Sequence, residues 1–191
     1  MPRTKEFDRD AALERAMQVF WGKGYAATSL DDLLKAMGIG RQSLYDTFGD
    51  KRQLFVAALD RYMAQSHEAR DCLATSPTPK QAIREVFEQV VREPEALQRR
   101  GCLGIHTTLE LAPTDPTIAK TIAAGQKKVE QAFHAALERA KELGEIPRSK
   151  DTRALARFLT GALVGLRVAA TAEPHGAIVR DMVRITLQAL D

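Results

Sequence analysis

A four-position apolar stripe recurs along this chain and determines its fold class. The first such stripe has apolar side chains at positions i, i+3, i+4 and i+7, namely Leu13, Ala16, Met17 and Phe20. The same spacing returns at Leu30, Leu33, Leu34 and Met37. This spacing places all four side chains on one face of an α-helix, whereas a half-buried strand would alternate apolar and polar residues. The sequence therefore predicts an all-α protein of about nine helices.

Composition and the start of the chain indicate the compartment. Of the 191 residues 45% are apolar, and the net charge of +3 is compatible with nucleic acid without indicating it. The opening "MPRTKEFDRD" lacks the apolar core of a secretion signal, and no apolar run approaches the roughly 20 residues that span a bilayer. Cys72 and Cys102 are too few for a disulfide framework and lack the spacing of metal ligands. We expect a cytoplasmic protein with no metal and no cofactor.

Two short helices joined by a tight turn form the most informative segment. Thr28 is predicted to cap the second helix and Gly38 to end it, since only glycine adopts positive φ without penalty. A third helix is predicted from about Arg41 to Thr47, with Leu44 and Phe48 one turn apart and facing inward. The second and third helices together then form a helix-turn-helix.

The outward side of this third helix suits the major groove of DNA. Arginine can donate two hydrogen bonds to guanine and glutamine can pair with adenine, while serine and tyrosine hydroxyls suit phosphate or sugar. Helix N-termini provide further phosphate sites. The predicted DNA contacts are Thr28, Arg41, Gln42, Ser43, Tyr45 and Lys51. The outward Asp46 fits this surface only by accepting from cytosine N4 or by staying at the rim. The alternative interpretation is a plain helical corner with a solvated face.

The stretch "ALERAMQVFWGKGYAATSLDDLLKAMGIGRQSLYDTFGDKRQLF" resembles the N-terminal domain of the TetR family of bacterial transcriptional regulators. The resemblance rests on the apolar pattern of the first two helices, on "GIGRQSLY", and on the "DK" and "LF" pairs that open the fourth helix. A later segment, "GCLGIHTTLELAPTDP", resembles one that is common in a branch of the family. The resemblance implies a helix-turn-helix DNA-binding domain at residues 1–50 and an effector-binding and dimerisation domain at residues 51–191.

The last two predicted helices carry apolar or small residues on more than one face. Gly161, Gly165 and Ala169 repeat every fourth residue, which allows another backbone to approach closely. A helix that is apolar on two sides must bury both of them. The predicted dimer interface comprises Phe158, Gly161, Ala162, Gly165, Leu166, Ala169, Ile178, Met182 and Ile185. The alternative is a helix pair that is buried entirely within one subunit.

The middle helices are predicted to build a pocket for a small-molecule effector. Such pockets are largely apolar, with a few polar groups that orient the ligand. The candidate lining residues are Met63, His67, Phe87, His106, Leu109, Glu110 and Phe133. His106 and Glu110 lie one helical turn apart, so they either hold the polar end of a ligand or form a local pair on the helix surface. A metal site would need a third ligand, which the sequence does not provide.

Cys102 has two interpretations of its own. Arg99 and Arg100 precede it, and nearby cations raise thiol reactivity, which favours a sensor of oxidants or electrophiles. The other interpretation is a small buried residue at the start of a helix.

The function that these observations predict is regulation of transcription. The sequence contains no nucleophile elbow, phosphate loop or zinc motif that would indicate an enzyme. We expect a homodimeric DNA-binding regulator, a repressor that a small-molecule effector releases from double-stranded operator DNA. The alternative is a redox- or electrophile-sensing regulator that acts through Cys102.

Overall fold

The computed structural model describes residues 7–65 and 67–191, apart from the side chains of residues 67–69. Within these residues the chain forms eleven helical segments and no strand, which confirms the all-α prediction. The segments are α1 (Arg9–Lys23), α2 (Leu30–Met37), α3 (Arg41–Phe48), α4 (Lys51–Gln65), α5 (His67–Thr75), α6 (Pro79–Arg92), α7 (Glu95–Arg100), α8 (Leu103–Glu110), α9 (Pro116–Glu142), α10 (Thr152–Ala172) and α11 (Ala177–Gln188). There are more segments than the expected nine because α4 and α5 are described as two segments and because the short helix α7 forms between α6 and α8.

The chain divides into two compact units. The first spans residues 7–65 and Cys102–Ile122, and so contains α1–α4, α8 and the start of α9. The second spans residues 67–101 and Ala123–Asp191, with α5–α7, most of α9, α10 and α11. The predicted boundary at residue 50 concerns function and stays a prediction. The first compact unit extends beyond it because α4 supplies part of its core.

The three short helices of the first unit are held together by α4. Helix α1 packs against both α2 and α4. Where α1 meets α4, the rings of Phe20 and Phe55 lie 5.0 Å apart, edge to face, and both are fully buried. Leu44 and Phe48 of α3 are also buried, as their spacing predicted. Each such side chain contributes about 1.5–3 kcal/mol by leaving water, so the shared core stabilises helices that are too short to persist alone.

The limits of α2 follow from capping chemistry. Ser29, not Thr28, is the N-cap: its Oγ accepts the N–H of Asp32 at 3.0 Å, and Asp32 Oδ2 accepts the N–H of Ser29 at 3.0 Å. The predicted cap was therefore wrong by one residue, because the Thr28 hydroxyl donates to the carbonyl oxygen of Gly24 at 2.6 Å. At the other end Gly38 adopts φ 69° and ψ 33°, the left-handed conformation that was predicted.

Side-chain oxygens also cap the starts of α4 and α9. Asp50 Oδ1 accepts the N–H of Gln53 at 2.7 Å, and Gln53 Oε1 accepts the N–H of Asp50 at 2.9 Å. At the start of α9, Asp115 Oδ1 accepts the N–H of Thr117 at 3.0 Å. The reciprocal pair at Asp50 and Gln53 and the one-way bond to Asp115 satisfy amide groups that have no partner inside a helix, and so define where α4 and α9 begin.

The second unit has its own core around α10. Helix α10 packs against α6, α7 and α11. Phe87 of α6 and Phe133 of α9 stack with ring centroids 6.0 Å apart and are fully buried. Arg167 of α10 donates two hydrogen bonds to the Glu93 carboxylate, at 3.1 and 3.2 Å, which ties α10 to the end of α6.

Candidate nucleic-acid interface

Helix α3 presents a polar side to solvent. Its inward residue Leu44 is fully buried, whereas Arg41, Gln42 and Tyr45 are exposed and Ser43 is half-buried. This division follows from helical geometry, because residues three or four apart share one face. The predicted outward orientation is confirmed for these side chains, while their contact with DNA stays a prediction.

Two carboxylates lie within this polar surface. Asp31 of α2 accepts a hydrogen bond from the Arg41 guanidinium at 3.3 Å. Asp46 accepts one from the Gln42 amide nitrogen at 2.8 Å. All four side chains are exposed. The surface therefore combines donors for base edges and phosphates with two acceptors whose charge opposes indiscriminate attachment to the DNA backbone.

The remaining two predicted DNA contacts lie at helix starts. Lys51 opens α4, and its Nζ lies 4.3 Å from the centroid of the Tyr25 ring, which the cation therefore covers. The side chain of Thr28 is only 1% exposed, so the structure corrects its predicted contact with phosphate. The exposed hydroxyl at the start of α2 is that of Ser29, which sequence reasoning missed. The capping-box pattern of Ser29 and Asp32 was the signal that could have found it.

A carboxylate from α8 holds the turn between α1 and α2. Glu110 Oε2 accepts the N–H of Tyr25 at 3.0 Å and Oε1 accepts the N–H of Ala26 at 2.6 Å. Gly24, which precedes these amides, has φ +79°, a conformation that favours glycine, and a Cβ there would also come within 3.2 Å of Glu110 Oε2. Both oxygens of Glu110 accept hydrogen bonds in this turn, while its predicted role in holding the polar end of a ligand stays a prediction.

A second polar link joins the start of α4 to the segment before α9. Arg52 donates two hydrogen bonds to the Asp115 carboxylate, at 2.7 and 2.9 Å. These bonds are the main reason that the pKa of Asp115 falls from 3.8 to about 2. Within the first unit, two carboxylates thus join the turn before α2 to α8 and the start of α4 to the start of α9.

The sequence and fold of the chain match known regulators. Residues 12–58 match the family model described as bacterial regulatory proteins, tetR family, and residues 77–185 match the Tetracyclin repressor-like C-terminal domain. The chain belongs to the TetR family. The resemblance seen in the sequence is thereby confirmed, and the protein is a DNA-binding transcriptional regulator, not an enzyme.

Relatives of this TetR-family regulator match it over nearly the whole chain. The uncharacterised HTH-type transcriptional regulator YezE of Bacillus subtilis (strain 168) is 39% identical over the full length of both proteins. The HTH-type transcriptional repressor ComR of Escherichia coli (strain K12) is 34% identical, over 96% of this chain and 87% of ComR. Among solved structures, a cysteine mutant of the TetR-family regulator CifR in complex with a 26-base-pair operator DNA is 32% identical over the full length of both chains, with a TM-score of 0.85.

In the second unit of this TetR-family chain, α10 and α11 expose apolar side chains. Phe158 is 49% exposed and Ile178 is 58% exposed, and Ile185 is exposed as well. Val168, which the sequence-based prediction missed, is exposed to a similar degree and continues the heptad spacing of Phe158, Gly161 and Gly165. The alternative of a pair buried within one subunit therefore does not describe this face.

The other predicted interface residues are less exposed. Leu166 is buried in the core, which corrects its assignment. Ala162, Ala169 and Met182 are half-buried against the same core. A Cβ on Gly165 would lie 3.4 Å from Met182 Cε, an ordinary van der Waals contact, so Gly165 faces α11 inside the chain. By length and composition, α10 is apolar enough to cross a membrane, and most of it is not buried within the chain. This corrects the expectation that no apolar segment is long enough to span a bilayer.

The structure distributes the predicted effector residues over two units. Met63 of α4 and His106 of α8 are half-buried in the first unit, and these two helices are in contact. Leu109 is 75% exposed in the same unit, which corrects its prediction as a lining residue. Phe87 and Phe133 are fully buried in the core of the second unit. The side chain of His67 lies outside the described residues.

One groove in the second unit has a volume of about 500 Å³. It lies along α6 and α11, and its charged walls include Arg84, Arg92, Arg180 and Arg184. None of the predicted effector residues lines it. In the part of the chain that the structure describes, no three or more His, Cys, Asp or Glu side chains cluster as metal ligands would.

Cys102 lies half-buried at the N-terminus of α8. Its Sγ accepts a hydrogen bond from the Tyr62 hydroxyl of α4 at 3.4 Å. Arg99, one of the cations that suggested a reactive thiol, forms an ion pair with Glu95 of its own helix at 2.8 Å. The thiol is therefore part of the contact between α4 and α8.

Proposed function

We propose that this regulator is a cytoplasmic homodimeric repressor that leaves its operator when a small-molecule effector binds. The observation that carries the proposal is the exposed polar side of α3, held on a buried core by Leu44 and Phe48. Two relatives support it by what is stated of them: ComR is a repressor, and a CifR mutant is bound to double-stranded operator DNA.

In this proposal, α3 is the recognition helix. Arg41 and Gln42 would read base edges in the major groove, and Ser43 and Tyr45 would bind phosphate or sugar. Lys51 and Ser29, at the starts of α4 and α2, would lie near the backbone, where helix N-termini favour phosphate. The total charge of +3 is small, so binding depends on this local surface more than on the overall field.

The dimer is proposed because one recognition helix reads few base pairs. Two copies would place their α3 helices about 34–36 Å apart on one face of the DNA. The uncovered apolar face of α10 and α11, with Phe158, Val168, Ile178 and Ile185, supports such an assembly because contiguous exposed apolar surface marks an interaction site. A second copy can bury this face against its own equivalent by twofold symmetry.

The effector is proposed to act where α4 contacts α8, close to Met63 and His106. A ligand wedged there would disturb α8, whose Glu110 holds the turn before α2. Release requires that the ligand bind the DNA-free arrangement more tightly than the DNA-bound one.

Oxidation of Cys102 is the second candidate for the release step. The observation that favours it is the Tyr62 hydroxyl at 3.4 Å from Sγ, because a change at this sulfur acts directly on the contact between α4 and α8. DNA release by an oxidant should then fail in Cys102→Ser and persist in Cys72→Ser, whose cysteine is exposed. Release that persists in both variants would exclude this route.

The first test is selection of bound DNA from a random duplex pool, at two salt concentrations. We expect a palindromic or near-palindromic site whose affinity falls steeply as salt rises, because phosphate contacts release counterions. The variant Arg41→Ala/Gln42→Ala should enrich no such site. Absence of enrichment by the unaltered protein would contradict the proposal. Fractionated small molecules from cell extract, added to the selected complex, then test for effector release.

A further inference from the structure

The recognition helix contains a side-chain pair whose chemistry goes beyond general DNA binding. Gln42 Nε2 donates a hydrogen bond to Asp46 Oδ1 at 2.8 Å, one helical turn along the exposed side of α3. Gln–Asp pairs at this spacing stabilise a helix only by about 0.2–0.5 kcal/mol. Such a small contribution gives little reason to place a carboxylate on a surface that is proposed to face phosphates, so its main effect is expected in base reading.

The bond to Asp46 settles which groups Gln42 can offer to a base. An amide nitrogen has two hydrogens and an amide oxygen only accepts, while an ionised carboxylate cannot donate. Asp46 therefore takes one N–H and holds the nitrogen of Gln42 toward itself. The second N–H and Oε1 remain, which makes one donor and one acceptor side by side.

Adenine is the base that matches this remaining pair. In the major groove adenine presents N7 as an acceptor and the N6 amino group as a donor, whereas guanine presents two acceptors, N7 and O6. The Oε1 of Gln42 would face a second acceptor on guanine, and the nearby Asp46 charge would add repulsion. On adenine or cytosine, the amino group would instead be attracted to the carboxylate.

We propose that Asp46 is a specificity-determining residue that acts through Gln42, so that the pair selects adenine and rejects guanine at one position of each half-site. The inference rests on the proposed function, in which α3 reads the major groove. This role explains why a carboxylate lies on the DNA-facing side of α3. The charge of Asp46 lowers total affinity for DNA, but it improves the choice between bases.

The test uses the full-length protein and the duplex that it selects from a random pool. Competition with every single-base variant of this duplex gives a base preference at each position. The unaltered protein should prefer adenine over guanine about tenfold or more at the position read by Gln42, as expected for a good bidentate pair. The variant Gln42→Ala identifies that position, because the preference for adenine over guanine should disappear there and nowhere else.

Two variants of Asp46 then test the role of the carboxylate. In Asp46→Ala, which removes the acceptor, the adenine-to-guanine ratio should fall several-fold at this position and stay unchanged elsewhere. Asp46→Asn keeps an acceptor oxygen but removes the charge, so it should lower the ratio less. Addition of Asp46→Ala to Gln42→Ala should change the ratio no further, because residues that act as one unit are not additive. Asp60→Asn removes the same charge from an exposed position on α4 and should leave every preference unchanged.

The contrary outcomes are distinct from failure of DNA binding. Unchanged ratios in both Asp46 variants would overturn the inference while the regulator still binds its operator. So would an equal rise in affinity for all bases, which would mean that Asp46 only repels phosphate. A cytosine preference that depends on Asp46 but not on Gln42 would make Asp46 a direct reader and also overturn it. A pool without any enriched site would refute the proposed function itself.

Discussion

Helices α3 and α10 each leave one side uncovered, but the two sides have opposite chemistry. The open side of α3 carries polar groups that already have partners, such as Gln42 with Asp46. The open side of α10 carries Phe158 and Val168, about half of whose surfaces face solvent. A polar surface is stable in water and suits a charged, hydrated ligand. An apolar surface is stabilised only when another apolar surface covers it. The comparison shows that the chemistry of an exposed face indicates what kind of partner binds it. The exposed area alone does not distinguish a DNA-binding face from a protein-binding one.

The largest expected effect comes from charge placed on the apolar face. Phe158→Asp/Ile178→Asp should give a folded monomer, because both side chains are about half exposed in the chain. Operator affinity should then fall on the order of 100-fold or more. In a dimer, binding of one subunit holds the second at a high effective concentration near its half-site, and a monomer lacks this advantage. Light scattering measures the mass and DNA titration measures the affinity.

Leu143→Asp is the control for that experiment, because Leu143 lies just after the end of α9 and is exposed outside α10 and α11. This variant should keep the mass and the affinity of the unaltered protein. A double variant that stays dimeric would break the comparison, because the apolar face would then have another purpose.

The next effect tests the core that supports the polar face. Leu44→Ala should lower the free energy of unfolding by about 2–5 kcal/mol, because it leaves a cavity where the side chain is fully buried. Leu109→Ala is the same substitution at an exposed position and should change it by less than about 0.5 kcal/mol. Urea denaturation followed by circular dichroism measures both. Equal losses would mean that α3 is not supported by its inward leucine.

A smaller effect is expected at the turn before α2. Glu110→Ala removes the acceptor for two amide groups and should cost about 1 kcal/mol of stability, since these bonds are solvent-accessible. Operator affinity should fall as well, because the turn carries the helix-turn-helix. Glu142→Ala, at an exposed position in the last turn of α9, is the matched control. Thermal denaturation and DNA titration of both variants would show whether the loss is confined to Glu110.

The smallest effect is a pH dependence from Asp115. Because Arg52 lowers the folded-state pKa of this carboxyl from 3.8 to about 2, its contribution to stability is fully present only above pH 3.8. The contribution disappears as the pH falls through about 2. The melting temperatures of the unaltered protein and of Asp115→Asn, which keeps a capping oxygen, should therefore differ at neutral pH and converge in acid. A difference that is constant with pH would refute this assignment.

How much could be predicted from the sequence differs between the two faces. For α3, the positions of Leu44 and Phe48 were enough to orient Gln42 and Tyr45 outward, because all four lie within about two turns of one helix. For α10, apolar residues on both sides left the orientation open. Periodicity could not tell that Leu166 enters the core while Phe158 remains at the surface.

The effector residues show the same limit more strongly. Phe87 and Phe133 were predicted to line a pocket, yet they stack on each other in the core of the second unit. Both uses require an aromatic side chain on the inner face of a helix. The sequence pattern therefore could not distinguish a residue that lines a pocket from one that packs in the hydrophobic core.

By itself, the sequence determined the helices, the left-handed turn at Gly38 and the polar side of α3, since these depend on residues no more than a few positions apart. Only the tertiary structure decided that Glu110 holds the amides of Tyr25 and Ala26, which lie 85 and 84 positions earlier. It also decided which side of α10 is uncovered. Such contacts depend on how segments that are distant in the sequence pack together. A local pattern of residue types does not specify that packing.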